Sequence, residues 1–218
     1  MSRQKPTHFL CIPLINVTSR NQLEASLATL KHAATRRIPP EAFRPIGSLH
    51  LTLGVMHLNS PAEVDRAIAY LHGEEVRGAL DSLGTGPLVC TLSSLSSMRS
   101  PKKTSVIYTE PLDSTDRLLP VSRRINELFV KSNLIIPENR PSRLHVTLIN
   151  TRYIAHVNYP PKVDATKLIS EHRDTVWAKD ITLDRLAICQ MGAEKVLDSH
   201  GRIEDEYYEE ISHVPLHP

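Results

Sequence analysis

The chain is predicted to have an α+β fold, with helices packed against mostly antiparallel sheets. Three observations lead to this class. Short apolar runs typical of strands alternate with amphipathic helical segments, the alternation occurs in both halves, and each half holds one strand with the same polar pattern. These features predict a duplicated unit in a single domain, 1–218, of two lobes with approximate halves 1–100 and 101–218.

The first half reads as strand, helix, strand, helix. "HFLCIPLINV", from residue 8, is apolar and predicts a buried strand. In the following helical segment leucines recur at helical spacing, and Ser19 with Gln22 has the form of a capping box. The strand "SLHLTLGV" comes next. A second helix is predicted from Ser60 at its N-cap, Pro61 in its first turn and Glu63, which completes another capping box.

The second half begins with two predicted strands, 87–98 and 104–111. A helix over 119–134 and the strand "RLHVTLIN" follow. The remainder predicts a helix over 164–177 and one strand over 181–191. For 201–216 two interpretations stay open, a polar edge strand and an acidic solvated tail.

Composition narrows the class of protein without naming a partner. The formal net charge of +2 neither requires nor excludes a nucleic acid, because a basic cleft can lie within a neutral total. Three cysteines without a CxxC pair are typical of reduced thiols in an intracellular protein. The first residues lack the features of a signal peptide, and no apolar run approaches the ~20 residues that span a bilayer. We therefore expect a cytoplasmic or nuclear protein with no membrane contact.

Two short segments carry the chemical signal. Both place a histidine two residues before a threonine inside an apolar run: His50 with Thr52, and His145 with Thr147. Side chains two apart on a strand share a face and lie about 7 Å apart, so each strand presents one imidazole and one hydroxyl together. If the two strands are neighbours, two imidazoles and two hydroxyls converge.

This set of groups suits phosphodiester chemistry. One neutral imidazole can accept a proton from an attacking hydroxyl or water, and a protonated one can donate to the departing oxygen. The hydroxyls of Thr52 and Thr147 can donate hydrogen bonds to the non-bridging phosphate oxygens. The scheme needs no metal and no cofactor. Arg143, Arg152 and Tyr153, close to the second motif, are further candidates for contact with a phosphate or ribose.

Other interpretations of these residues are less favoured. A single His-x-Thr is expected by chance in a chain with 11 histidines. The alternative to a catalytic role is a structural one, in which both are core histidines satisfied by hydrogen bonds. A metal site is less favoured because HExxH and clustered carboxylates are lacking and threonine is a poor ligand. A serine hydrolase is excluded by the lack of GxSxG. For Arg143, Arg152 and Tyr153, structural roles stay open.

The motifs "HLTL" and "HVTL" resemble those of the 2H (two-histidine) phosphoesterase superfamily. With "THFLCIPL", "LHVTLINTRY" and "ITLDRLAICQMG", the chain is similar to a eukaryotic branch. That branch includes the phosphoesterase domains of an A-kinase anchoring protein with a nuclear localisation signal (2′-5′ RNA ligase-like) and of an activating signal cointegrator complex subunit. The resemblance implies a bilobal fold with a pseudo-twofold cleft, and His50 and His145 as catalytic residues. It also implies phosphate binding by Thr52 and Thr147.

The resemblance further implies metal-independent action on RNA-type phosphodiesters. These are 2′,3′-cyclic phosphates, 2′,5′-linked oligonucleotides such as 2′-5′ oligoadenylate, or RNA 3′ ends. We therefore expect a phosphodiesterase, a hydrolase or RNA phosphodiester lyase, whose partner is an RNA, oligonucleotide or nucleotide substrate and which is a monomer. The alternative is an RNA- or nucleotide-binding adaptor with little or no turnover. The sequence does not identify the linkage, the base, the pathway, any protein partner or which histidine is the acid.

Overall fold

The structure, a computed structural model, describes residues 5–137, 143–154 and 159–216. The α+β class with mostly antiparallel sheets is confirmed. The helices are α1 (Arg20–Ala34), α2 (Pro61–Leu71), α3 (Glu74–Asp81), α4 (Leu118–Lys131) and α5 (Thr166–Glu171). The strands are β1 (His8–Pro13), β2 (His50–Met56), β3 (Leu88–Ser97), β4 (Val106–Leu112), β5 (Val146–Asn150), β6 (Val176–Leu183), β7 (Arg185–Gln190), β8 (Glu194–Leu197), β9 (Ile203–Tyr207) and β10 (Glu210–Pro215).

Two four-stranded antiparallel sheets form the body of the molecule. The first sheet has the order β10-β7-β1-β2, and the second sheet has the order β5-β4-β3-β6. Each sheet therefore ends in a motif strand, and in each the strand before it in sequence lies next to it, with a helix between the two: β1-α1-β2 and β4-α4-β5. This correspondence is the predicted pseudo-twofold duplication. The strands β2 and β5 contact each other, so the two sheets meet at their motif edges.

The sheets do not divide the chain at residue 100. The first sheet takes β7 and β10 from the C-terminal part, and β3, which lies before residue 100, belongs to the second sheet. The two sheets therefore do not coincide with the predicted halves 1–100 and 101–218, and the division into two lobes stays a prediction. The physical reason is the buried strand β1, which needs a partner on each edge and finds the second one in β7. The single domain 1–218 stays a prediction.

Apolar side chains on the covered faces of the two sheets form one continuous core with the helices. The helix α2 begins as expected: Ser60 accepts a hydrogen bond from the Glu63 amide, and the Glu63 side chain accepts one from the Ser60 amide. The capping box predicted at Ser19 is wrong. The Ser19 hydroxyl donates instead to the carbonyl of Leu14 at 2.6 Å, and caps no helical amide.

The C-terminal region contains more strands than the sequence predicts. The predicted strand 181–191 is two strands in different sheets, because the chain passes from β6 to β7 at Asp184. The predicted helix 164–177 ends at Glu171, and Trp177 lies buried in β6, where its indole donates to the carbonyl of Ser94. Segment 201–216 supplies β9 and β10, which confirms the strand interpretation. The two strands β8 and β9 form a small separate sheet.

Candidate active site

The two motif strands place their polar residues in one cavity of about 210 Å³. His50, Thr52, His145 and Thr147 all line it. They reach it because alternate residues of each segment are buried in the core and their neighbours face the cavity. The buried residues are Leu49, Leu51, Leu53, Leu144, Val146 and Leu148. The structure thus brings together the four residues that the sequence singles out.

Both histidines lie at the start of their strands, although the sequence suggests positions within them. His50 is the first residue of β2, and His145 directly precedes β5. Each imidazole bonds through Nδ1 to the carbonyl oxygen two residues earlier, at 2.7 Å from Ser48 and at 2.9 Å from Arg143. A carbonyl oxygen can only accept, so Nδ1 carries the hydrogen and Nε2 of a neutral ring is the basic nitrogen. Among the described residues, neither Nε2 has a hydrogen-bond partner.

His50 is closely surrounded. The rings of Phe9 and Tyr208 lie 4.8 and 5.3 Å from its ring, centroid to centroid. Burial is the main reason that the pKa of His50 is lowered to about 4. The bond to the Ser48 carbonyl acts in the opposite direction, and the positive charges of Arg44 and His145 lower the pKa further. His50 is therefore held neutral at physiological pH.

His145 lies in a different setting. Its ring meets the ring of Tyr108 edge-on at 5.2 Å, and Tyr108 is the register partner of Thr147 on the neighbouring strand. The Tyr108 hydroxyl accepts a hydrogen bond from Arg143 at 2.8 Å, and Arg143 also forms an ion pair with Glu110 at 3.6 Å. Arg143 is thus placed beside the aromatic neighbour of His145 and does not line the cavity of the motifs.

Of the other two candidates near the second motif, one lines the cavity and the other does not. Tyr153 lines the cavity, and the guanidinium carbon of Arg44 lies 3.8 Å above the centre of its ring. Arg152 is exposed and is not among the residues that line the cavity. Burial is the main reason that the pKa of Tyr208 is raised, and the neighbouring Tyr153 raises it further. Contact of Arg143, Arg152 or Tyr153 with a substrate stays a prediction.

Several residues that line the cavity are not indicated by any pattern in the sequence. Phe9, Arg44, Asn150 and Tyr208 line it together with the motifs. Phe9 was recognised only as part of an apolar strand, and Arg44 lies in an irregular segment between prolines. Tyr208 comes from the acidic stretch before β10. The local sequence gives no sign of these positions, because they depend on which distant strands pair.

A small buried cluster, separate from the main core, adjoins the cavity through Phe9. Phe9, Cys11, Ala187 and Cys189 form this separate buried cluster, and the two sulfur atoms lie 3.6 Å apart as free thiols. Burial raises the pKa of the Cys11 thiol well above its usual value, so Cys11 stays in the thiol form.

A larger cavity of about 810 Å³ lies beside α4 and the strands β3 and β4. Its lining includes Glu110, Asp116, Arg123 and Arg143, but none of the four motif residues. The smaller cavity is the candidate active site, because acid–base and hydrogen-bonding groups converge there. Across the described parts of the chain, no three His, Cys, Asp or Glu side chains are grouped as a metal site. No helix in those parts is long and apolar enough to cross a membrane.

Comparison with known families agrees with this geometry. A family model described as "AKAP7 2'5' RNA ligase-like domain" matches residues 6–216. A Schizosaccharomyces pombe protein, "Uncharacterized protein C15D4.13c", is 28% identical over 212 residues, 95% of each chain. "Activating signal cointegrator 1 complex subunit 1" of Mus musculus is 28% identical over 154 residues, 68% of this chain and 43% of that protein.

Solved structures share the fold at low sequence identity. TT0787 of Thermus thermophilus is similar with a TM-score of 0.56 at 16% identity, covering 96% of this chain and 97% of its own. LigT of E. coli, crystallised with 3′-AMP, has a TM-score of 0.54 at 16% identity, covering 97% and 98%. The resemblance read from the two motifs is confirmed by these matches together.

Proposed function

Because the chain belongs to the AKAP7 2′5′ RNA ligase-like domain family of the 2H phosphoesterases, we propose that it is a metal-independent phosphodiesterase acting through His50 and His145. Family membership supports a phosphodiesterase-type enzyme for RNA-type substrates in general. More specifically, its substrates are proposed to be 2′,3′-cyclic phosphates, 2′,5′-linked oligonucleotides or RNA ends. The observation that carries it is the matched pair of imidazoles, each fixed through Nδ1, in one cavity.

The chemistry follows from the positions of these groups. One Nε2 accepts the proton of the attacking oxygen, and the other ring donates a proton to the oxygen that leaves. Thr52 and Thr147 donate hydrogen bonds to the non-bridging oxygens, where negative charge gathers in the transition state. The Nδ1 bonds to backbone carbonyls fix both ring orientations before the substrate arrives, which removes an entropic cost from the reaction.

The ribose is expected to take part directly. In chain cleavage the nucleophile is the neighbouring ribose hydroxyl, which is already held close to the phosphorus, and the product is a cyclic phosphate. With a cyclic phosphate as substrate, water attacks and a ring oxygen leaves, with the same two proton transfers. Both routes need vicinal ribose oxygens. LigT of E. coli has been crystallised with 3′-AMP and with ATP, which supports a nucleotide as the ligand of this fold.

A panel of substrates tests the proposal. Nucleoside 2′,3′-cyclic phosphates and short 2′,5′- and 3′,5′-linked oligoribonucleotides are incubated with the protein at neutral pH, with and without a strong chelator. A fully deoxy oligonucleotide of the same sequence serves as the control. We expect turnover of at least one ribo substrate, in chelator too, and none of the deoxy control. Equal cleavage of ribo and deoxy chains would contradict attack by the neighbouring hydroxyl.

Two further results would overturn the mechanism. Loss of activity in chelator, restored by a divalent ion, would replace the acid–base pair by a metal-activated water. Tight binding of the panel without any turnover would indicate the nucleotide-binding adaptor instead. Nuclear or cytoplasmic location and the monomeric state stay predictions beside this proposal.

A further inference from the structure

Arg44 supplies a positive charge at the wall of the candidate active site. Within the described residues it is the only lysine or arginine that lines the cavity of His50 and His145. Its side chain is only 6% exposed, which is unusual for a charged group and requires partners. The function proposed above gives this residue no role.

Three contacts from three parts of the chain hold Arg44 in place. Its Nη2 lies 3.3 Å from the Glu206 carboxylate of β9, and its guanidinium stacks on the ring of Tyr153 at 3.8 Å. Its backbone amide donates to the carbonyl of Leu148 in β5 at 2.8 Å. The segment that carries Arg44 leads into β2 and is bonded to β5, so both motif strands fix its position.

The groups that face His50 come from four elements. Arg44 approaches from the segment before β2, His145 from the start of β5, Tyr208 from the turn before β10, and Phe9 from β1. Arg44 and His145 are the charged groups that act on His50, and both oppose a proton on its ring. Among the described residues, no carboxylate is in contact with the His50 ring to offset them.

His145 has a different balance of charge around it. Arg143 is the neighbouring cation and, like Arg44, it is paired with a glutamate, here Glu110. Its side chain is 67% exposed, however, so solvent screens its charge, whereas that of Arg44 is buried. The two histidines therefore have the same backbone anchor and different electrostatic surroundings. A buried cation beside one of two otherwise matched imidazoles distinguishes their roles.

We infer that Arg44 is a positioning residue for His50, whose buried charge in the same cavity adds to burial in opposing a proton on the imidazole, so that His50 is the proton acceptor and His145 the proton donor of the proposed reaction. The inference rests on the proposed function for its proton roles, but its electrostatic part concerns the protein alone. Glu206 moderates the effect, because its carboxylate balances part of the charge on Arg44.

Two variants of opposite sign test the electrostatic part. Arg44→Met removes the cation, which makes protonation of His50 less costly. The pKa at which His50 titrates is therefore expected to rise by about half a pH unit or more. Glu206→Gln removes the balancing anion and is expected to move it down. Arg44→Lys keeps the charge and is expected to titrate closer to the parent than Arg44→Met.

The titration is followed by NMR of the His50 ring protons without substrate, with the signal assigned from His50→Gln. This readout does not depend on activity, and a merely structural role of Arg44 would not move it in opposite directions in the two variants. Unchanged titration in both variants, or a shift in the same direction, would overturn the inference. If Arg44→Met fails to fold, the downward shift expected in Glu206→Gln still decides it.

Activity then tests the proton roles. The acid limb of kcat/KM reports the group that must be neutral, and it is expected to move with the His50 titration in both variants. On a ribonucleoside nitrophenyl phosphodiester, whose leaving group needs no proton, His145→Ala is expected to lose much less activity than on the ordinary substrate. His50→Ala is expected to lose as much on both.

The reverse pattern would exchange the two roles and overturn the assignment. If no substrate is turned over at all, the proton roles fail together with the proposed function. The NMR titration would still show whether Arg44 acts on His50, so the two failures are distinguishable.

Discussion

The histidines of the two motif strands make the same backbone contact, but different residues surround them. In β2, His50 lies against Phe9 and Tyr208 with the buried Arg44 nearby. Beside β5, His145 has one aromatic neighbour, Tyr108, and the nearby ion pair of Arg143 and Glu110 is exposed to solvent. The comparison teaches that a duplicated fold can repeat its reactive groups and their backbone anchors while it surrounds each copy with different neighbours and charges.

Removing either imidazole is expected to have the largest effect on activity. His50→Ala and His145→Ala should each lower turnover by about 10²–10⁴-fold, the usual contribution of a general acid or base. The control is His57→Ala, because His57 makes the same Nδ1 contact to a carbonyl, that of Lys5 at 2.8 Å, but does not line the cavity. A folded variant of either motif histidine with near-normal turnover would refute the two-histidine mechanism.

The dependence of stability on pH is expected to distinguish His50. Its pKa is about 4 in the folded protein, against an ordinary value of 6.5. Between these two values the unfolded chain binds a proton at this histidine and the folded protein does not. The contribution to stability is present above pH 6.5 and is lost as the pH falls towards 4, by up to about 3 kcal/mol. Urea unfolding across this window should show a shallower loss in His50→Gln than in the parent.

His8 acts in the same direction, since burial lowers its pKa too. His8→Gln is therefore the comparison variant, and it should flatten the profile less than His50→Gln. Equal slopes in the parent and in His50→Gln would mean that the His50 ring is more hydrated than its packing indicates.

A third expectation concerns how closely β2 packs on the core. A Cβ added at Gly54 would lie 2.5 Å from Cδ1 and 2.9 Å from Cγ2 of Ile135. Gly54→Ala should therefore lower the free energy of unfolding by about 1–3 kcal/mol, as overpacked cores do. The control Gly78→Ala, in α3 with no heavy atom within 4 Å of the new Cβ, should leave stability unchanged or raise it by up to about 1 kcal/mol.

Adding Ile135→Val to Gly54→Ala removes the methyl group nearest the new Cβ. The pair should recover part of the loss measured by urea unfolding. A double variant as unstable as the sum of the two single changes would show that the collision is not the cause.

The smallest expected effect belongs to the threonines. Thr52→Val and Thr147→Val keep the side-chain shape and remove one hydroxyl each, so turnover should fall about tenfold, the value of one hydrogen bond to a charged group. Thr52→Ser and Thr147→Ser keep the hydroxyl and should lose less. Serine variants as impaired as the valine variants would assign the threonines a packing role.

Local pattern was sufficient for the motif residues and for much of the secondary structure. The alternation around His50 and His145 predicted which neighbours are buried, because a strand with one covered face has no other way to arrange them. The capping box of α2 was also predictable from the local sequence, because the groups that form it lie within four residues of one another. At Ser19 the identical pattern failed, because the nearby carbonyl of Leu14 competes for the hydroxyl.

Long-range pairing was not predictable. Apolar residues lie on both sides of the charged pair Asp184 and Arg185, so the sequence predicts one strand where the chain in fact changes sheet. Arg44 and Tyr208 reach the cavity only because β2 meets β5 and because β10 joins β7. The surroundings that make the two histidines unequal therefore belong to the tertiary structure.

The exchange of strands between the sheets also affects how the protein folds during synthesis. The strand β1 is synthesised well before its second partner, β7, which lies at 185–190. Until those residues emerge, β1 can pair only with β2, and its other edge stays apolar and unpaired, so that other chains can join it. The second sheet has three of its strands by residue 150 and can form earlier. We therefore expect the first sheet, and with it the surroundings of His50, to be completed after the second sheet has begun to form, with the open edge of β1 exposed to aggregation until then.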